Sequence, residues 1–104
     1  MSKFRKEVDY YLYNHAAVTK SKDNDDQKWA RIIDFIKNKY AGTQFGELIR
    51  LKYEMKQKED TIKYLLHIEA TTYYAWINKI INEITLMAAY ERLIIPYVPY
   101  EMKD

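Results

Sequence analysis

Residues 48–90 read LIRLKYEMKQKEDTIKYLLHIEATTYYAWINKIINEITLMAAY, and this stretch decides the fold. Ile62, Leu65 and Leu66 make one face of a short helix. Tyr73, Ile77, Ile80, Ile81, Ile84, Met87 and Ala88 recur by threes and fours, which predicts a longer helix with a buried stripe. Between the two, His67-Ile68-Glu69 leaves about three residues of turn, the length of a helix-turn-helix joint. Ile68 is the apolar residue of that turn and is expected to plug the angle between the helices. A supporting helix is expected before them, from Phe45 to about Met55, packing through Leu48, Leu51 and either Ile49 or the stem of Lys52.

Upstream, Ser2 is expected to cap a first helix reaching about Ala17, with Phe4, Val8, Tyr11, Leu12 and His15 on one side. His15 reads as a packed or surface histidine, since no second histidine lies at ligand spacing. The run TKSKDND, residues 19–25, reads as a loop. Asp23, Asp25 and Asp26 lack the glycine and the distal glutamate of a calcium loop, so they are expected to solvate the turn and cap the next helix. That helix is expected from Asp26 to Tyr40, with Trp29, Ile32, Ile33, Ile36 and Tyr40 on one face. Ala41-Gly42 ends it and Thr43 caps the supporting helix. Downstream, the long helix is expected to continue to about Leu93 or Ile95, where Pro96 stops it. The apolar tail IIPYVPYEMKD is expected to fold onto the core or to meet a partner.

These elements predict one all-α domain, residues 1–104, of about five helices. An N-terminal helical pair (1–43) precedes the helix-turn-helix core (44–90), and a helix end and tail (91–104) follow. Two glycines and two prolines are too few for the turns of a β-rich fold. The chain has no cysteine, hence no disulfide and no thiolate metal site, and no cofactor is expected. MSKFRKEVDYY lacks the apolar run of a signal peptide, and no stretch approaches the roughly 20 apolar residues of a membrane span. A soluble cytoplasmic protein is the expectation. Charge is uneven: residues 1–43 hold nine Lys/Arg against six Asp/Glu, 44–90 hold six of each, and 91–104 hold two against three. A nucleic-acid-binding module normally shows a basic footprint, and here the N-terminal half carries it.

The run LIRLKY, then TIKYLLHIEATTYYAW, then a long amphipathic helix resembles the small phage transcriptional regulators of the ArpU and RinA type. Their helix-turn-helix is similar to the promoter-reading region 4 of sigma factors. The resemblance covers roughly Phe45 to Ala89 and rests most on His67, Ile68, Thr71, Thr72, Tyr73, Tyr74 and Trp76. It implies a DNA-binding transcriptional regulator of a phage or prophage, acting in a bacterial host cell. The helix 70–79 would enter the major groove, and host RNA polymerase is a further possible partner. A homodimer through the C-terminal helix and tail would double the site. Against the family pattern, Lys63 stands where a small residue is usual, Glu69 where Ser or Thr caps the second helix, and Ala70 and Ala75 where cations are common.

If Tyr73 points inward with Ile77, then Thr71, Tyr74, Ala75 and Asn78 face outward. Asn78 is placed to read adenine, Thr71 to touch phosphate or a thymine methyl, and Tyr74 to bond phosphate. Lys79 and Lys63 are expected at the backbone, and Thr72 completes the DNA-binding set. The shortage of cations keeps a second reading open: a relative of the same fold that grips a protein without specific DNA readout. Neither a phosphate-binding glycine loop nor an HExxH motif is present, and a non-enzyme is expected.

Overall fold

The computed structural model describes residues 2–94, and within them the chain is all-helical, with no strand. The first helix, α1 (Ser2–Tyr13), buries Val8 and Leu12. The Ser2 cap lies outside the described side chains. The expected single helix to Ala17 is interrupted at Asn14, whose side-chain amide donates to the Tyr10 carbonyl at 2.7 Å. A short α2 (His15–Thr19) follows and buries Val18. This bend makes six α-helices out of the five expected.

After a loop, α3 (Asn24–Tyr40) starts two residues earlier than the periodicity suggested. Asp23 explains the start: its carboxylate accepts the Asp26 N–H at 3.0 Å, while Asp25 and Asp26 in the first turn and Lys37 and Lys39 in the last suit the helix dipole. Trp29, Ile32, Ile33 and Ile36 are buried, as the pattern required. Gly42 turns the chain at φ +82°, and the Thr43 hydroxyl accepts from Gly46 N–H at 3.2 Å to open α4 (Gln44–Ile49). Gly46 is where α4 meets the end of α3: an added Cβ would stand 2.3 Å from the Tyr40 carbonyl oxygen.

The supporting helix is not α-helical to Met55. It widens into a π-helical turn over Arg50–Glu54, closed by Met55 N–H donating to the Arg50 carbonyl at 2.9 Å. The wider turn places residues five apart on one face. That is why Leu48 and Tyr53 are both buried, along with Ile49 and Leu51. Tyr53 would sit well around an ordinary α-helix from Leu48, so the sequence pattern overlooked it.

Next come α5 (Glu59–Leu66) and α6 (Ala70–Tyr90). Ile62 and Leu66 are buried, but Leu65 is 50% exposed and does not join their face. In α6 the expected inward residues Tyr73, Ile77, Ile80, Ile81, Ile84 and Ala88 are buried, with Met87 at the edge. This long helix packs against both α1 and α3 and so spans the core. It ends at Tyr90, well before Pro96. Arg92 takes a left-handed conformation (φ +63°), and the N–H groups of Arg92 and Leu93 donate back to Ala89 and Ala88 at 3.0 and 2.8 Å. This closure folds the chain back and buries Ile94. The expectation for the tail beyond it lies outside the described residues. Among those described, no helix is long and apolar enough to cross a membrane.

Candidate nucleic-acid interface

The joint between α5 and α6 is built by backbone geometry. His67 adopts φ +57°, ψ +45°, so its N–H donates to Tyr64 O at 3.4 Å and the Ile68 N–H to Lys63 O at 3.1 Å. This pair of bonds stops α5 and redirects the chain, while Ile68 packs on the core. Glu69 then precedes α6 in extended conformation and makes no side-chain cap. The first N–H groups of α6 are left for solvent or for an anion.

Thr71, Tyr74, Ala75 and Asn78 lie exposed along one side of α6, and Tyr73 turns inward as expected. Thr72 is only partly exposed. Tyr74 and Asn78 each have a partner that the sequence did not announce. The Tyr74 hydroxyl donates to Glu59 Oε1 at 2.5 Å, bridging the start of α5 to α6. The Arg5 guanidinium, from α1, donates to Asn78 Oδ1 at 2.6 Å. Arg5 thereby joins the candidate interface although 73 residues separate the pair. No local signal could have found it.

Both predicted backbone cations are neutralised within the fold. Lys63 lies 3.1 Å from Glu59 and 3.4 Å from Asp60, and Lys79 lies 3.1 Å from Glu83. Hydrogen bonds from Tyr74 and then Lys63 hold the Glu59 carboxyl below its usual range, and the same bond to Glu59 pushes the Tyr74 hydroxyl up. Burial pushes Glu83 up, but bonds from Tyr40, Lys39 and Lys79 outweigh it and hold the carboxyl below the ordinary value. Glu83 thus ties α3 to α6, with Lys39 at 3.0 Å and the Tyr40 hydroxyl at 2.5 Å.

Beside the exposed face, a cleft of about 430 Å³ opens between α1, the π turn and α6, lined by Arg5, Asp9, Lys52, Lys58, Glu59 and Tyr74 among others. The Lys52 ammonium there lies 5.3 to 6.0 Å from the ring centres of Tyr13, Tyr53 and Tyr73. An aromatic cage filled by the protein's own cation stabilises the junction and takes that charge out of play for a ligand. The Tyr53 hydroxyl donates to Asp9 at 3.1 Å, and burial followed by Asp9 pushes its ionisation far up.

Lys58 and Arg5 at this cleft make no ion pair among the described residues, and two further unpaired cations lie far from it. Lys28 and Arg31 of α3 border Glu91, whereas Lys39, near the other end of α3, meets Glu83. The two helices therefore run antiparallel, and Arg31 stands about 24 Å along α6 from Ala75 at 1.5 Å per residue. Arg5 of α1 adjoins the recognition face, whereas Lys28 and Arg31 of α3 are at the far end of α6. His15 packs between Lys37 (3.0 Å) and Asp34 (2.9 Å). Among the described residues no group of three or more His, Asp or Glu could hold a metal ion. In comparisons with family models, curated proteins and solved structures, nothing matches this chain.

Proposed function

We propose that this chain is a sequence-specific DNA-binding regulator of transcription, of the phage or prophage kind that its helix-turn-helix sequence resembles. The observation that supports it is the polar strip Thr71–Tyr74–Asn78, exposed on the helix that follows a three-residue helix-turn-helix joint. In this reading α6 enters the major groove by its first two turns. Asn78 exchanges Arg5 for an adenine edge, and the released guanidinium takes a phosphate. The uncapped start of α6 and the Thr71 hydroxyl contact the backbone, while Lys58 and Arg5 supply local positive charge. Lys63 and Lys79 contribute by opening their ion pairs. The protein acts in the bacterial cytoplasm as a non-enzyme, pairs with a second copy through its C-terminal region, and has host RNA polymerase as a further partner.

The ion pairing of Lys63 and Lys79 favours a second reading, in which the same scaffold grips a protein and not DNA. Anisotropy titration against random duplexes, with sequencing of the bound fraction, separates the two. The regulator reading expects enrichment of one sequence and a steep fall of affinity with salt. It also expects Asn78→Ala to lose about 10-fold or more, roughly the worth of one bidentate base contact. No binding at low salt would refute it and leave the protein-partner reading standing.

A further inference from the structure

The C-terminal half of α6 carries large apolar side chains that nothing in the described chain covers. Leu86 is 71% and Tyr90 89% exposed, and Phe35 of the neighbouring α3 is 54% exposed. The three surround one shallow apolar surface floored by Ile32 and Met87. We propose that this face, Phe35–Leu86–Tyr90, is a two-fold interface between two copies of the chain.

Three observations select a second copy as the occupant. The first is area: covering the exposed parts of these side chains removes about 400 Å² per copy, taking ~200 Å² as a full aromatic side chain. Two copies then bury about half of a standard interface of ~1,600 Å², before the rim is added. The second is charge. The rim carries Lys28 and Arg31 on the α3 side and Glu91 at the end of α6. None of these three makes an ion pair among the described residues. A rim that carries both signs is able to meet a second copy of itself, as a self-complementary surface requires.

The third is geometry, and it rests on the proposed DNA reading. At 3.6 residues per turn, Leu86 and Tyr90 lie about 90° around α6 from the centre of Thr71, Tyr74, Ala75 and Asn78. A two-fold axis in the contact plane, perpendicular to α6, reverses the helix direction and preserves what lies along the axis. Faces at a right angle to the contact therefore end on the same side of the dimer. A contact that joined the helices by the face opposite the recognition strip would have turned the two strips away from each other's duplex. The recognition strip is centred about 20 Å along α6 from the middle of the contact, so two strips stand about 40 Å apart along the reversed helices, a few ångströms beyond one turn of DNA. One turn of B-DNA separates half-sites by about 34–36 Å. Phe35 joins α3 to an interface that the sequence had assigned to the C-terminal helix and tail alone.

Sedimentation of the full chain over a range of concentrations tests the interface without DNA. A monomer–dimer equilibrium is expected, with Leu86→Glu and Tyr90→Glu each weakening it by about 100-fold or more. Tyr64→Glu, at a 78% exposed site on α5, is expected to leave it unchanged. A monomer at every concentration, or a dimer indifferent to Leu86→Glu and Tyr90→Glu, would overturn the proposal. Paired half-sites with centres one turn apart should then bind more tightly than the same pair with half a turn inserted. A dimer broken by Leu86→Glu that binds no DNA would support the interface and refute the DNA reading.

Discussion

Glycine at position 67 is expected to make the protein more stable, although it removes a side chain from the joint of the helix-turn-helix. His67 holds φ +57° and ψ +45° at the end of α5. In that region the Cβ of an L residue crowds the following carbonyl, at a cost of roughly 1–2 kcal/mol. Glycine escapes the crowding but gives up about 0.5–1 kcal/mol more chain entropy on folding. His67 is exposed and its imidazole makes no hydrogen bond to the described residues, so little else is lost. The balance is a gain of about 0.5–1 kcal/mol, or a rise in Tm of about 2–8 °C for a domain of this size. His67→Val carries a β-branched side chain into the same conformation and is expected to lose about 1–2 kcal/mol. Thermal and urea unfolding followed by circular dichroism measure both. A lower Tm for His67→Gly, or no loss for His67→Val, would refute the left-handed joint and with it the bonds from His67 and Ile68 that set the angle of α6.

Two other substitutions probe what holds α6 to the rest of the molecule. Glu83→Gln removes the charge that Lys39, Lys79 and Tyr40 share, at an expected cost of about 1–2 kcal/mol at neutral pH. Because the folded carboxyl is held below its ordinary value of 4.5, this contribution is complete above 4.5 and is lost as pH falls through the lower folded value. The stability difference between wild type and Glu83→Gln should therefore shrink on acidification in urea titrations; a difference independent of pH would count against the clamp. Gly46→Ala puts a methyl 2.3 Å from the Tyr40 carbonyl oxygen and is expected to destabilise by about 2–3 kcal/mol, despite the better helix propensity of alanine. An unchanged or raised urea midpoint would show that α4 can move off the end of α3.

Much of this architecture was legible before folding was considered. Apolar residues three and four apart define which side of a helix leaves water, so Trp29, Ile33 and Ile36, and Tyr73, Ile77, Ile80 and Ile84, could be assigned inward from spacing alone. Thr43 and Gly42 marked their boundary through side-chain and backbone chemistry that acts within a few residues. The outward placement of Tyr74, Ala75 and Asn78 followed from the same periodicity. Local rules were weaker where a helix changes its own pitch or stops without glycine. The π turn at Arg50–Glu54 brought Tyr53 inside, and left-handed Lys56, His67 and Arg92 end helices that no glycine or proline marks.

What only the tertiary structure decided is the company that each outward side chain keeps. Charge counts found equal numbers of cations and acids over residues 44–90, but they could not say that Lys63 and Lys79 would be the ones neutralised. Nor could they bring Arg5 to Asn78, or gather Phe35, Leu86 and Tyr90 on one face. Periodicity is a property of a helix by itself, whereas ion pairs and exposed patches depend on how α1, α3 and α6 are laid against one another. Burial of the apolar stripes drives that arrangement, and it places the polar and unburied residues as a consequence. The sequence alone therefore determined an all-helical chain and the direction each stripe faces; the packing determined which charges and which apolar side chains remain available to a partner.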